Sequence, residues 1–356
     1  MRNQTTKILL SVLLGAFLFL GVDCKDDKPC LTCPTPVDTT SHDFEWTIDT
    51  IGDGGNGVFY DVTIINDTLA YAVGELYQRD STGNIDPNMF NAALWNGREW
   101  NLLRVDVKLT YIGSSDITNQ DPLITVFSFG SKDIWFASKS GGVTQLKNDQ
   151  WIMLDIPFNK GPGAVSGMWG RNNNDIYFSG KGGRIVYFNG SDWMQLESGT
   201  TTNINDIYGI NKNGREEVYC AITNFFEPKD KKILRITNTT QVDSIEWTPE
   251  RNVNSVWTAD GSFLYAGGEG LFENSSGEWK EIRYGASKYI HHIRGSSANN
   301  IFVVGDVGLI AHYNGSTWKI FPFDSNISFG SIAVTNNLVI AVGVNGVVVG
   351  KRKNKF

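Results

Sequence analysis

The chain has 356 residues, among them 38 Gly and 11 Trp, while Asp, Glu, Lys and Arg together make up only 19%. That composition is too apolar for a disordered chain and too rich in Gly and aromatics for a helical bundle or coiled coil. A formal net charge of −7 argues against a nucleic-acid partner. Four His and four Cys leave little material for metal or thiol chemistry, so no metal and no cofactor are expected.

Residues 1–23 read as a targeting segment. Arg2 and Lys7 precede 15 uncharged residues, Ile8 to Val22, fewer than the roughly 20 that a membrane span requires. Cys24 follows at once, and then Lys25-Asp26-Asp27. The arrangement resembles a bacterial lipoprotein signal, in which the cysteine becomes the lipidated N-terminus. The Lys-acidic-acidic stretch resembles the export tag of Bacteroidota surface lipoproteins. Asp23 departs from the small-residue pattern usual before that cysteine. The resemblance implies an outer-membrane lipoprotein of the cell envelope, surface-exposed and held by lipid without spanning the membrane. Residues 24–43, polar and with three Pro, predict a flexible tether. Within it Cys30 and Cys33 have metal or redox spacing, but no second Cys pair or His cluster accompanies them. A local disulfide is the expectation. Cys220 lies in a strand pattern and reads as a small buried hydrophobe.

Residues 44–351 carry an internal repeat. Residues 164–193 (AVSGMWGRNNNDIYFSGKGGRIVYFNGSDW) align with residues 289–318 (YIHHIRGSSANNIFVVGDVGLIAHYNGSTW). Short apolar runs of strand composition alternate with Asn- and Gly-rich turns, so one unit is four antiparallel strands. Asn189-Gly190 and Asn314-Gly315 suit two-residue type I′ hairpins, whose central residues both need φ > 0. A second-strand aromatic recurs at Tyr71, Trp135, Tyr177, Tyr219, Tyr265 and Phe302, with Ile340 in the equivalent place of a further copy. A last-strand Trp recurs at Trp100, Trp151, Trp193, Trp247, Trp279 and Trp318. The final copy stops after three strands, and Phe44-Glu45-Trp46-Thr47-Ile48 is the natural donor of its fourth. The expected fold is all-β: a seven-bladed β-propeller with its last blade closed by the N-terminal strand, which leaves no open edge. Residues 352–356 form a basic C-terminal tail.

The unit resembles bacterial secreted propellers of the BNR-repeat and photosystem II assembly-factor groups over the whole domain after the tether. The Asp-box of sialidases needs Ser-x-Asp-x-Gly-x-Thr-Trp, and Asn314-Gly315-Ser316-Thr317-Trp318 is one residue short of it. The resemblance therefore implies the fold and not an activity.

No catalytic constellation stands out. No carboxylate pair of glycosidase type is recognisable, and no Gly-x-Ser-x-Gly elbow occurs. His291 and His292 are adjacent, so in a regular strand they face opposite sides and cannot share a metal. One of them is expected to line the central channel, and Arg294 falls in an innermost-strand repeat. The long segments fall on one propeller face and carry aromatics: Tyr77, Phe90, Tyr111, Phe158, Phe225, Phe226 and Tyr284. Loops on a rigid scaffold concentrate binding residues, and aromatics with Arg are enriched at hot spots. The candidate ligand-binding residues are Tyr77, Arg79, Phe225, Phe226, His291, His292 and Arg294. The sequence points to a monomeric binding or assembly module for an envelope protein or glycan, with a glycan-active enzyme as the alternative.

Overall fold

The structure, a computed structural model, describes residues 39–51, 57–109, 117–157, 159–212, 214–223, 232–324, 326–344 and 346–353. The targeting segment, most of the tether, Cys24, Cys30, Cys33, Tyr111, Phe158, Phe225 and Phe226 lie outside them.

Thirty strands are present among the described residues. β1 is Phe44–Asp49, followed by β2–β5 (Val58–Asn66, Leu69–Leu76, Phe90–Trp95, Trp100–Leu103). A short pair, β6 (Val107–Leu109) and β7 (Ile117–Asn119), precedes β8–β11 (Leu123–Ser128, Asp133–Ser138, Val143–Lys147, Gln150–Met153). Next come β12–β15 (Val165–Asn172, Asp175–Gly180, Ile185–Phe188, Trp193–Leu196) and β16–β19 (Ile204–Lys212, Arg215–Ile222, Lys232–Thr237, Gln241–Ile245). β20–β23 (Val253–Trp257, Leu264–Gly268, Gly270–Asn274, Trp279–Glu281) and β24–β27 (Ile290–Ser297, Asn300–Gly305, Leu309–Tyr313, Trp318–Pro322) follow. The chain closes with β28–β30 (Ser328–Val334, Leu338–Val344, Gly346–Arg352).

All pairings are antiparallel meanders, as the alternation of short apolar runs with turn residues dictates. The first strands β2, β8, β12, β16, β20, β24 and β28 neighbour one another in succession, and β28 returns to β2. This is the arrangement of a β-propeller. Where seven separate four-stranded sheets were expected, five stand alone. Apart from the β6–β7 pair, the other eight strands form one sheet, because Val58 of β2 pairs with Val344 of β29. In that sheet β1 pairs with β30 from Phe44↔Arg352 to Asp49↔Val347.

The core lies between neighbouring sheets. The second-strand aromatics are buried at every repeat, from Tyr265 at 8% exposure to Phe302 at 0%, and Ile340 is equally enclosed. Each stands three residues before a position that pairs with the first strand: Gly74, Ser138, Gly180, Ile222, Gly268, Gly305 and Gly343. Glycine dominates that position for a steric reason. A Cβ on Gly305 or Gly343 would stand 1.9 Å from the carbonyl oxygen of Tyr289 or Ser328.

Two local expectations need correction. In the Asn-Gly hairpins only the glycine has positive φ, 94° at Gly190 and 97° at Gly315. The Asn instead opens the turn: the Asn189 carboxamide accepts from the Ser191 and Asp192 N–H groups, and Asn314 does the same for Ser316 and Thr317. Gly thus takes the first central position of a type II′-like turn rather than the second of type I′. The recurrent Trp is also less uniform than the repeat suggests. Trp100, Trp193, Trp279 and Trp318 begin their strands, but Trp247 lies beyond β19 and meets Trp279 edge to face at 4.8 Å. Trp46 sits mid-strand opposite Gly350, and Trp151 is 47% exposed.

Candidate functional site

The first strands share one irregularity. In each, a β-bulge follows the first buried apolar residue, between Phe59 and Asp61, Leu123 and Thr125, Val165 and Gly167, and Ile204 and Asp206. The remaining three fall between Val253 and Ser255, Ile290 and His292, and Phe329 and Ser331. A bulge inserts an unpaired residue and re-aims its side chain. Here it brings two consecutive positions of every first strand to the central axis. The bulged residues are Tyr60, Ile124, Ser166, Asn205, Asn254, His291 and Gly330. Directly after them come Asp61, Thr125, Gly167, Asp206, Ser255, His292 and Ser331.

The axial space falls into three cavities. At the end carrying the second-to-third-strand loops, the loop end, a cavity of about 500 Å³ is bounded by Val58, Tyr60, Ile124, Val165, Lys139, Lys181, His291 and Val344. A constricted space of about 100 Å³, the waist, lies among the bulge residues and those after them. At the other end, the turn end, about 310 Å³ is enclosed by Phe127, Trp169, Tyr208, Arg294 and Val334 among others.

The waist is held by a connected polar network. Arg294 grips Asp206 with both terminal nitrogens, Nη2 to Oδ1 at 2.7 Å and Nη1 to Oδ2 at 3.0 Å. Asp206 Oδ2 also accepts from Ser255 Oγ (2.5 Å) and from the Val256 N–H (3.1 Å). Across the axis, Asp61 accepts from Thr125 Oγ1, the Val126 N–H and Ser331 Oγ at 2.7 to 3.1 Å. Ser255 Oγ accepts the Ile293 N–H, and His292 Nδ1 accepts the Ile332 N–H. The pattern recurs at four of the seven first strands: Asp61, Asp206, Ser255 and His292, each directly after a bulge, receive a backbone N–H from the next first strand. It lapses at Gly167, which has no side chain to offer. Bidentate and charge-assisted bonds of this kind are the strong ones.

Titration follows from the geometry. Burial raises the Asp206 carboxyl, but Arg294 and His292 beside it outweigh that and hold it well below the usual carboxylate range. Burial and the Arg294 charge push the His292 imidazole down, against the pull of Asp206. A neutral ring is also what the contacts require, since Nδ1 must stay unprotonated to accept from Ile332. At the loop end His291 Nε2 lies 2.8 Å from Asp306 Oδ1, which also accepts from Ser328 Oγ. Burial raises the Asp306 carboxyl, and those two partners bring it below its ordinary value.

The candidates from sequence separate into two groups. His291, His292 and Arg294 meet at the axis, and both histidines line it, against the alternation expected of a regular strand. The bulge after Ile290 is the reason. Tyr77 and Arg79 do not join them. The Tyr77 hydroxyl donates to Glu75 at 2.9 Å, and Arg79 Nη1 bonds the Gly83 carbonyl within its own loop. Arg104 straps that loop down through Asp86, Asn88 and the Phe90 ring. Tyr284 is 4% exposed, with its hydroxyl on the Lys288 carbonyl. Cys220 is buried, and its environment raises the thiol pKa. Among the described residues no group of three or more His, Cys, Asp or Glu side chains is placed to hold a metal ion.

No protein-family model and no curated protein sequence matches the chain. Solved structures do. YCF48 bound to D1 peptide superposes with a TM-score of 0.64 at 12% identity, covering 89% of this chain and 100% of that one. A catalytically inactive virginiamycin B lyase from Staphylococcus aureus, solved with quinupristin, gives 0.63 at 12%, covering 87% and 100%. The WD40 β-propeller domain of Doa1 gives 0.63 at 14%, covering 87% and 98%. These likenesses establish the β-propeller fold.

Proposed function

We propose that the chain is a propeller binding module that engages a segment of a protein partner at its loop end, centred on the axial cavity. The observation that supports this is a cavity of about 500 Å³, walled mainly by apolar side chains and closed below by the waist. A concave, largely apolar pocket with a few polar groups is the usual form of a binding site. The waist itself offers little to catalysis. Asp206 and Asp61 are saturated by internal donors, and every carboxyl with a displaced pKa moves down. A general acid working near neutral pH needs the opposite shift. YCF48 in complex with D1 peptide is a precedent for a similar fold holding a peptide.

Two further parts belong to this reading. The propeller is counted as seven units, the last built from β28–β30 and β1. The six-residue register of β1 on β30 and the succession of first strands support that count. The cell-envelope setting, with Cys24 as a lipid anchor and residues 24–43 as a tether, rests on the N-terminal sequence.

A photo-crosslinking residue at Tyr60, against one at Val334 of the turn end, tests the binding face. With the full chain on a peptide array, crosslinks should form at position 60. Capture confined to position 334, or turnover of envelope polysaccharide by the purified chain, would overturn the reading. Deleting residues 44–50 should lower the melting temperature by many degrees; an unchanged melt would remove β1 as the closing strand.

A further inference from the structure

The residue just after the glycine-rich pairing position recurs as a rim at the loop end of the units, and Lys139, Lys181 and Val344 of that rim line the loop-end cavity. The rim's equivalent positions in chain order are Glu75, Lys139, Lys181, Thr223, Glu269, Asp306 and Val344. The equivalence is visible in the backbone, because the N–H of Lys139, Lys181, Glu269 and Asp306 each donates to the segment leading into its own first strand. The acceptors are the carbonyls of Pro122, Ala164, Asn252 and Tyr289.

The carboxylates of this rim are occupied. Glu75 accepts from Tyr77, Glu269 from the Asn252 backbone and carboxamide at 3.0 Å each, and Asp306 from Ser328 and His291. The two lysines, on consecutive sheets, are exposed and line the cavity. Among the described residues neither ammonium has an ion-pair or hydrogen-bond partner. In a chain of net charge −7 they make a local positive sector at the mouth of an apolar cavity. Beside them stand Tyr60 and Ile124, both half-buried, and Val344, 40% exposed.

We infer that the loop-end cavity takes an acidic-apolar peptide segment. An aliphatic or aromatic side chain would enter between Tyr60, Ile124 and Val344, and a neighbouring carboxylate would lie over Lys139 and Lys181. This rests on the binding-module reading and names its ligand chemistry. The apolar wall favours peptide over an acidic glycan, whose uronate units present little hydrocarbon to bury. Exposed ammoniums screened by salt give steering and specificity, so the binding should weaken as ionic strength rises.

The test measures binding of the full chain to the amidated peptide Gly-Leu-Glu-Phe-Gly, to its Glu→Gln counterpart and to oligogalacturonate. The acidic peptide should bind at least tenfold more tightly than the Gln peptide at 50 mM salt, and most of that preference should vanish at 0.5 M. The double change Lys139→Glu and Lys181→Glu should abolish the preference, while Lys319→Glu, away from the mouth, should leave it. Both rim changes are on exposed side chains, and an unchanged melting curve will show that the fold persists. Equal binding of the two peptides, or a preference that survives the double change, overturns the acidic-peptide inference and leaves the binding module standing. Binding of oligogalacturonate without the peptide overturns the peptide assignment. If no peptide on the array binds at all, the binding-module reading falls with it.

Discussion

The waist and the loop-end mouth are built from adjacent residues of the same strands, yet they answer to different constraints. Directly after each bulge the side chains are small, polar or charged, and nearly every donor and acceptor is used between neighbouring first strands. At the bulge itself the residues are unrelated in kind: Tyr60, Ile124, Ser166, Asn205, Asn254, His291 and Gly330. The backbone device repeats while its exposed side chain does not. Positions that hold the ring together are narrowed by hydrogen bonding, and those one residue away are left open for recognition.

The largest break in this contrast should come from Asp206→Ala. It leaves Arg294 without its carboxylate and strips acceptors from Ser255 and the Val256 N–H. Removing one partner of a buried pair costs about 3–5 kcal/mol, to be read from urea unfolding. A loss below about 1 kcal/mol would show that the network is incidental to stability. A backbone version compares two glycines. Gly305→Ala drives a Cβ to 1.9 Å from the Tyr289 carbonyl, whereas Gly330→Ala meets nothing nearer than 3.9 Å. The first should cost about 1–3 kcal/mol as overpacking, and the second should be nearly silent in the same assay.

Acid sharpens the contrast further. The folded-state pKa of His292 lies below its unfolded value of 6.5, so the unfolded chain takes up the proton first. Stability should therefore fall as pH drops below about 6.5, by at most about 1.4 kcal/mol per pH unit for this group. His292→Gln should flatten that slope in melts between pH 7 and 5, and so should His312→Gln. His312 adds to the same acid window. Burial, with His42 and Arg352 nearby, pushes it down to about 3, so the two histidine variants must be compared on an otherwise unchanged chain.

Much of the fold was legible because the repeat is carried by burial. Tyr71, Trp135, Tyr177, Tyr219, Tyr265, Phe302 and Ile340 recur at one position of the second strand because each fills the same gap between sheets. The waist was not read, although its signal is present. Every first strand spells apolar, two residues, apolar, as in Phe59-Tyr60-Asp61-Val62 and Ile290-His291-His292-Ile293. Strict alternation cannot bury both ends of such a run, and only a bulge between them can. Reading the run as a regular strand sends His291 and His292 to opposite faces, which is where that expectation failed. For Tyr77 and Arg79 the structure adds what composition does not reveal: Arg104 pins their loop to its own sheet.

The segment before β1 gives the molecule a direction. The Thr40 N–H bonds the Asn314 carbonyl, Thr40 Oγ1 bonds that of Asn299, and His42 touches both His312 and Thr317. Asn299, Asn314 and Thr317 all belong to tight turns at the turn end, away from the mouth rimmed by Lys139 and Lys181. The polypeptide thus enters the propeller from the rear. The lysine-rimmed opening lies at the opposite end of the propeller, so residues 39–43 and the mouth occupy different faces.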